Sequence, residues 1–244
     1  MTPRWHVSFA ATVAILLAAT PAAAETVVVC HGDSITRGAH LKPEETYPAM
    51  LQAALPDTKV VNTGIGGNTS QQGLKRLAPD VLSRRPKFVV LLFGTNDSVL
   101  TAPGRYRVPV DQYRQNLGRM IAGCRQAGAD VVLCTLPAIE PEPYFTRHPK
   151  PYYDAEGGLT AILQRYRTAA LEVGKSMKVP VVDLYETFDK DKSLLRPAPD
   201  GVHPNARGAR AIGKLVAEQL ATIGLAPITP VKGAPDAEAQ RDAP

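Results

Sequence analysis

Ser34 stands where the apolar run Val27-Val28-Val29-Cys30 gives way to His31-Gly32-Asp33-Ser34-Ile35-Thr36-Arg37-Gly38. A serine hydroxyl is a weak nucleophile at its ordinary pKa. It becomes effective only with a general base, an acid that orients the base, and donors for a developing oxyanion. Three other short polar stretches offer residue types for those tasks: Gly64-Ile65-Gly66-Gly67-Asn68-Thr69, Gly94-Thr95-Asn96-Asp97 and Asp200-Gly201-Val202-His203-Pro204. Together they would support nucleophilic acyl transfer. Taken alone, Gly32-Asp33-Ser34 reads first as an ordinary turn, because all three residues suit turns. What separates the two readings is whether the chain folds so that the four stretches meet.

The elements between them alternate. Val27 to Cys30 is a strand run, Tyr47 to Ala54 a short helix, and Lys59-Val60-Val61-Asn62 a second strand. From Ser70 a helix carries Leu74, Leu77, Val81 and Leu82 on one face, with Thr69 or Ser70 as its cap. Phe88-Val89-Val90-Leu91-Leu92-Phe93 is a continuous apolar run too short to cross a membrane, as expected of a central parallel strand buried on both faces. Asp111 to Gln126 has helical period and stops before Gly128. Ala129 to Thr135 is a fourth strand, and Val179-Pro180-Val181-Val182-Asp183 a fifth that Pro180 places at an edge. Between them a helix turns Leu159, Ile162, Leu163, Tyr166, Ala170 and Val173 inward, and a last helix does the same with Ala209, Ile212, Val216 and Leu220.

Five alternations of strand and helix predict an α/β fold with a doubly wound parallel sheet. Such sheets bind ligands beyond the carboxyl ends of their strands, where the strand order reverses. In the flavodoxin-like order 2-1-3-4-5, strands one and three flank that reversal, and their loops carry Ser34 and Asn96. The Gly67 loop follows strand two and opens on the same edge. It is not a nucleotide fingerprint, since the GxGxxG spacing fails and no acidic residue stands where a ribose would need one.

Leu136 to Gly158 breaks the rhythm with five prolines and the aromatics Tyr144, Phe145, Tyr152 and Tyr153. A loop of that length in a compact domain is usually functional or disordered, and the aromatics predict an ordered wall of a binding cleft.

At 244 residues and 44% hydrophobic content the chain suits one sizeable domain. Residues 1–24 differ: Arg4 leads an uncharged run from Val7 to Ala19, and Ala22-Ala23-Ala24 follows as a small-residue cleavage site. This predicts a signal peptide at 1–24, a domain at 25–225 and export to the periplasm or medium without stable membrane insertion. Cleavage would take the formal charge from +5 to about +4, since Arg4 is the only charged residue before Glu25. That charge is spread along the chain, which excludes a nucleic-acid footprint. Arg84-Arg85-Pro86-Lys87, the only short basic run, reads as a solvated helix end. From residue 226 the chain is Pro, Ala and charge, a flexible tail in composition. Cys30, Cys124 and Cys134 fall on apolar faces and read as small buried hydrophobes; a bridge between Cys124 and Cys134 stays open. No spacing resembles a zinc site.

With the four polar stretches in this order, the sequence resembles the SGNH (GDSL) hydrolases. Gly32-Asp33-Ser34 matches the first block, Asn62 to Gly67 the second, Gly94-Thr95-Asn96-Asp97 the third and Asp200 to Pro204 the last, spanning about Val27 to Leu220. The resemblance implies a three-layer α/β/α sandwich and an exported serine esterase working through an acyl-enzyme. It makes Ser34 the nucleophile, His203 the base and Asp200 its orienting partner, with the Ser34 N–H, the Gly67 N–H and the Asn96 amide as oxyanion donors. Each assignment has a physical reason: fixed donors stabilise the oxyanion without reorganising, and a glycine at 67 leaves no Cβ between backbone and that oxygen. Asp200, three residues before His203, can take the Nδ1 hydrogen if the segment makes one turn, and Pro204 restricts the backbone of His203. His31, His40 and His148 lack such a partner and read as peripheral, with His31 a support for the site at most. Asp33 and Asp97 read as structural hydrogen-bonding residues. The G-x-S-x-G elbow is absent, because Ile35-Thr36 follow Ser34. The chemistry requires no metal or organic cofactor.

Two substrate readings follow from the resemblance. Asn68 to Leu74 looks like the loop of broad-specificity arylesterases, lysophospholipases and thioesterases acting on short-chain esters. The Tyr-rich stretch and export fit a carbohydrate O-acetylesterase acting on acylated glycans. A third reading, a glycan-binding module on an inactive scaffold, is disfavoured by the intact Ser34, Asn96, Asp200 and His203. The expected partner is therefore a small-molecule or glycan ester.

Overall fold

The computed structural model describes residues 25–196 and 200–225; the expected signal peptide and tail lie outside them. In chain order its elements are β1 (Thr26–Gly32), α1 (Ser34–Arg37), α2 (Tyr47–Ala54), β2 (Thr58–Asn62), α3 (Ser70–Lys75), α4 (Leu77–Asp80), β3 (Phe88–Leu92), β4 (Leu100–Ala102) and β5 (Arg105–Tyr106). They continue with α5 (Val110–Gln126), β6 (Asp130–Cys134), α6 (Pro141–Tyr144), α7 (Lys150–Asp154), α8 (Leu159–Met177), β7 (Val181–Val182), α9 (Leu184–Lys190) and α10 (Ala206–Thr222).

Five strands form one parallel sheet in the order β2-β1-β3-β6-β7, which is the expected 2-1-3-4-5. Helices cover both sides: α3, α5 and α8 pack together on one, α2 and α10 on the other. The continuous apolar run of β3 follows from that, since all five of its residues are buried. Register puts Gly32 beside Leu92, Leu92 beside Cys134 and Cys134 beside Val182, so these four strands end level and their loops leave at one edge. β7 pairs only with β6, the edge position that Pro180 required.

The structure corrects the sequence reading in several places. The helix expected from Ser70 to Leu82 is two pieces, because Pro79 has no N–H to give to the carbonyl of Lys75. Thr69 caps the first piece, accepting from Gln72 N while Gln72 Oε1 accepts from Thr69 N. The stretch from Leu136 to Gly158 holds the short helices α6 and α7, and Tyr144 and Tyr153 are core rather than cleft, while Tyr152 and Phe145 are partly buried against the core. Tyr144 and Tyr153 are 2% and 0% exposed. Their hydroxyls meet at 2.7 Å, and Tyr153 also accepts from Leu100 N, so neither phenol needs water. The hairpin of β4 and β5 is too short to show a strand period. All three cysteines are free and buried; burial alone pushes the Cys124 thiol up to about 12.

Candidate active site

Ser34 begins α1 immediately beyond β1, and Asp33 caps that turn by accepting from Ile35 N at 2.9 Å. Opposite it, the segment before α10 folds on one carboxylate. Asp200 Oδ1 accepts from Val202 N at 2.9 Å and His203 N at 3.1 Å, the single turn that the three-residue spacing required. Gly201 makes the turn: its φ is +69°, and a Cβ there would stand 2.5 Å from the carbonyl oxygen of Glu140. Asp200 Oδ2 then lies 2.5 Å from His203 Nδ1, and His203 Nε2 lies 2.7 Å from Ser34 Oγ. The carboxylate accepts from Nδ1–H, so Nε2 carries the lone pair that faces the serine hydroxyl. Ser34, His203 and Asp200, separated by up to 169 residues, form one hydrogen-bonded chain.

The charges are poised to match. Burial pushes the Asp200 carboxyl up, but the Val202 and His203 N–H donors and the imidazole outweigh it and hold the group well below the usual carboxylate range. Burial lowers the His203 pKa; Asp200 raises it, while His40 and Arg147 add to the lowering. The net shift is downward, which favours the neutral ring.

Gly67 and Asn96 reach the same edge from the loops after β2 and β3. Gly67 has φ +75°, and a Cβ added to it would meet no other atom within 4 Å. Left-handed backbone, rather than crowding by neighbouring protein, is what demands glycine there. Asn96 Nδ2 donates to Asp33 Oδ2 at 3.2 Å, placing the amide beside the residue that precedes Ser34. Asp33 is fully buried, which lifts its pKa to about 7. Asp97, pushed up to about 6 chiefly by burial, takes Ser70 N and Ser70 Oγ and fixes the start of α3. Both acids are structural hydrogen-bonding residues, as expected.

The other histidines divide. His31 is wholly buried, donates from Nε2 to the Gly73 carbonyl at 3.0 Å and sits at about 4, lowered by burial and Arg76. It braces the loop behind Ser34. His148 stacks on Tyr144 with ring centroids 4.2 Å apart. His40 is not peripheral: its Nε2 lies 3.3 Å from Asp200 Oδ2 and its ring meets that of His203 edge-on at 5.1 Å. Nothing in the sequence links it to Asp200, 160 positions away. Sequence reading also passed over Arg107, which donates to the Gly67 carbonyl at 2.8 Å and to Asn96 Oδ1 at 3.4 Å, and Arg147, which donates to the Asp200 carbonyl at 3.3 Å. Among the described residues, His40, Asp200 and His203 alone bring three ligand atoms within 4.8 Å as a metal would need. Those atoms already contact one another.

Residues 30–211 match the model of the GDSL-like Lipase/Acylhydrolase family. The chain belongs to that family. It is accordingly an enzyme of the carboxylic ester hydrolases, with the SGNH hydrolase fold. Among its relatives is an uncharacterized lipoprotein, YqeF, of Bacillus subtilis, 30% identical over 76% of this chain and 85% of that one. Another is the thioesterase 1/protease 1/lysophospholipase L1 of Escherichia coli, 28% identical over 89% and 92%. The solved lipase/acylhydrolase of Enterococcus faecalis superposes with a TM-score of 0.63 at 27% identity, over 84% of this chain and 98% of that one. No described helix of this family member is long and apolar enough to cross a membrane.

Proposed function

We propose that this GDSL-family enzyme hydrolyses short-chain carboxylic esters of broad range through an acyl-enzyme on Ser34. The observation that carries the reading is the continuous chain from Ser34 Oγ to His203 Nε2 at 2.7 Å and from His203 Nδ1 to Asp200 Oδ2 at 2.5 Å. In the first half-reaction Ser34 Oγ attacks the ester carbonyl while its proton passes to His203 Nε2. The imidazolium, stabilised by Asp200, returns that proton to the leaving alcohol as the carbon-oxygen bond breaks. Water then attacks the acyl group by the same route, releasing the acid and restoring Ser34. The Ser34 and Gly67 N–H groups and the Asn96 amide hold the oxyanion in both steps.

Likeness to the E. coli enzyme supports a range that includes thioesters and lysophospholipids. The carbohydrate O-acetylesterase reading keeps its catalytic basis but loses Tyr144 and Tyr153 from the aromatic wall, since both are buried. A glycan-binding module without activity has no use for the Ser34, His203 and Asp200 alignment. The test is a panel of nitrophenyl esters of increasing acyl length beside acetylated sugars. Highest kcat/KM on short acyl chains across unrelated alcohols supports the reading; activity confined to acetylated sugars replaces it.

Residues 1–24 are proposed to be an export signal and 226–244 a tail outside the catalytic domain. The charge-free run after Arg4 and the lipoprotein name of the Bacillus relative support export. Amino-terminal sequencing of protein secreted by an expressing bacterium tests it, with Glu25 as the expected first residue.

A further inference from the structure

Three arginines far apart in the sequence contact the segments that carry the candidate catalytic residues. They are Arg37 from α1, against Gly66; Arg107 from the loop after β5, on Gly67 and Asn96; and Arg147 from the segment between α6 and α7, on Asp200. Arg37 lies against Gly66, where a Cβ would come 3.2 Å from its Cζ, and Arg107 donates to the carbonyl of the next residue, Gly67, at 2.8 Å. Two guanidinium groups thus flank one two-residue turn. Arg147 Nη2 lies 3.3 Å from the Asp200 carbonyl and 3.7 Å from its Oδ2.

The acids nearby leave this charge largely unmatched. Asp200 Oδ2 is taken by His203 at 2.5 Å and approached by His40 at 3.3 Å. Asp33 and Asp97 are completely buried. Among the described residues, neither Arg37 nor Arg107 has a carboxylate within ion-pair distance. Arg107 spends two N–H groups on Gly67 and Asn96, and the planar fork has five, so donors remain for a ligand.

We infer that the cleft selects esters carrying an anionic group, a carboxylate or a phosphate, which Arg107 beside Gly67 and Asn96 and Arg147 beside Asp200 hold while the ester carbonyl meets the oxyanion donors. Planar guanidinium groups match both anions bidentately. A rim of one sign also draws such substrates from solution, an effect that salt removes. The inference rests on the esterase reading above and names the substrate class of that same site.

The test compares esters with one acyl group and one ring: phenyl acetate, 4-acetoxybenzoate and 4-acetoxyphenyl phosphate, each rate divided by that of hydroxide-catalysed hydrolysis. At low ionic strength kcat/KM for the anionic esters should exceed that for phenyl acetate by about tenfold, within the range that steering supplies. The advantage should shrink in about 0.5 M NaCl. In Arg107→Gln/Arg147→Gln it should fall to near unity. Since Arg107 also touches Gly67 and Asn96, the single variant Arg147→Gln is measured alongside, with part of the advantage expected to go. The carboxylate and phosphate arms show which anion the rim favours. Equal normalised rates for all three esters, or a preference unchanged in the double variant, overturn the inference. Failure to hydrolyse even phenyl acetate would overturn the esterase reading instead.

Discussion

Asn96 gives its side-chain amide to Asp33 Oδ2 across 3.2 Å, so the carboxyl that caps the Ser34 turn also aims the amide. An amide aimed by a fixed acceptor costs no reorganisation when charge develops nearby. Asn96→Ala should therefore lower kcat by about 10² to 10³ with little change in KM. Steady-state kinetics on a nitrophenyl ester check this, and a change in KM alone would place Asn96 in substrate binding.

Ser34→Ala should remove nearly all esterase activity and leave the melting temperature within about 1 °C, because among the described residues Ser34 Oγ hydrogen-bonds only to His203 and the loss of one hydroxyl at a cleft is a small change. Residual catalysis from the oxyanion donors alone could persist at about 10³ to 10⁴ over water. A folded variant with a rate well above that floor moves the nucleophile to another residue.

How far the sequence revealed this arrangement depends on the range of each interaction. Strand order and the Asp200 to His203 turn were legible because hydrophobic runs and a three-residue spacing are local signals. The break at Pro79 was written in the sequence too, but the apolar face of Leu74, Leu77 and Val81 masked it. Tyr144 and Tyr153 misled because an aromatic in a proline-rich loop looks the same whether its hydroxyl meets water or another hydroxyl 2.7 Å away. His40, Arg107 and Arg147 were invisible for a different reason: their partners lie 160, 40 and 53 positions off, and no periodicity records such a pairing.

Gly201→Ala tests the turn that presents His203. With φ at +69° and the Glu140 carbonyl 2.5 Å from any Cβ, the backbone must shift, and His203 shifts with it. The expected result is a stability loss of about 1 to 3 kcal/mol together with a fall in kcat. Denaturant unfolding and kinetics on one preparation check it; unchanged values for both would show that the segment relaxes freely.

Asp33 makes stability depend on pH. Burial lifts its pKa from the ordinary carboxylate value to about 7, so the native state favours the protonated form. Its stabilising contribution is full below about pH 3.9 and is lost as pH rises through about 7. A neutral amide at this position carries no such burden, so Asp33→Asn should gain stability relative to wild type between about pH 5 and about pH 8. Melting temperatures at the two pH values decide the matter: a difference that stays constant or moves the other way places Asp33 in an environment that tolerates its charge.

His203 couples the site to pH through activity. To accept the Ser34 proton it must be neutral, so kcat/KM should rise with pH and then level off. Burial, with help from His40 and Arg147, outweighs Asp200 and puts the midpoint below the ordinary histidine value of about 6.5. The neighbours act in opposite senses, which gives the experiment its sign. Asp200→Asn removes the carboxylate that raises the pKa and orients Nδ1, so the midpoint should fall further and kcat should drop by up to about 10⁴. His40→Ala removes the ring that meets His203 edge-on at 5.1 Å and acts to lower its pKa, so the midpoint should rise. His203→Ala should abolish the titrating limb with the activity. Shifts of the same sign in Asp200→Asn and His40→Ala would sink this account of the pair, and wild-type activity in Asp200→Asn would reduce the site to a Ser34 and His203 dyad.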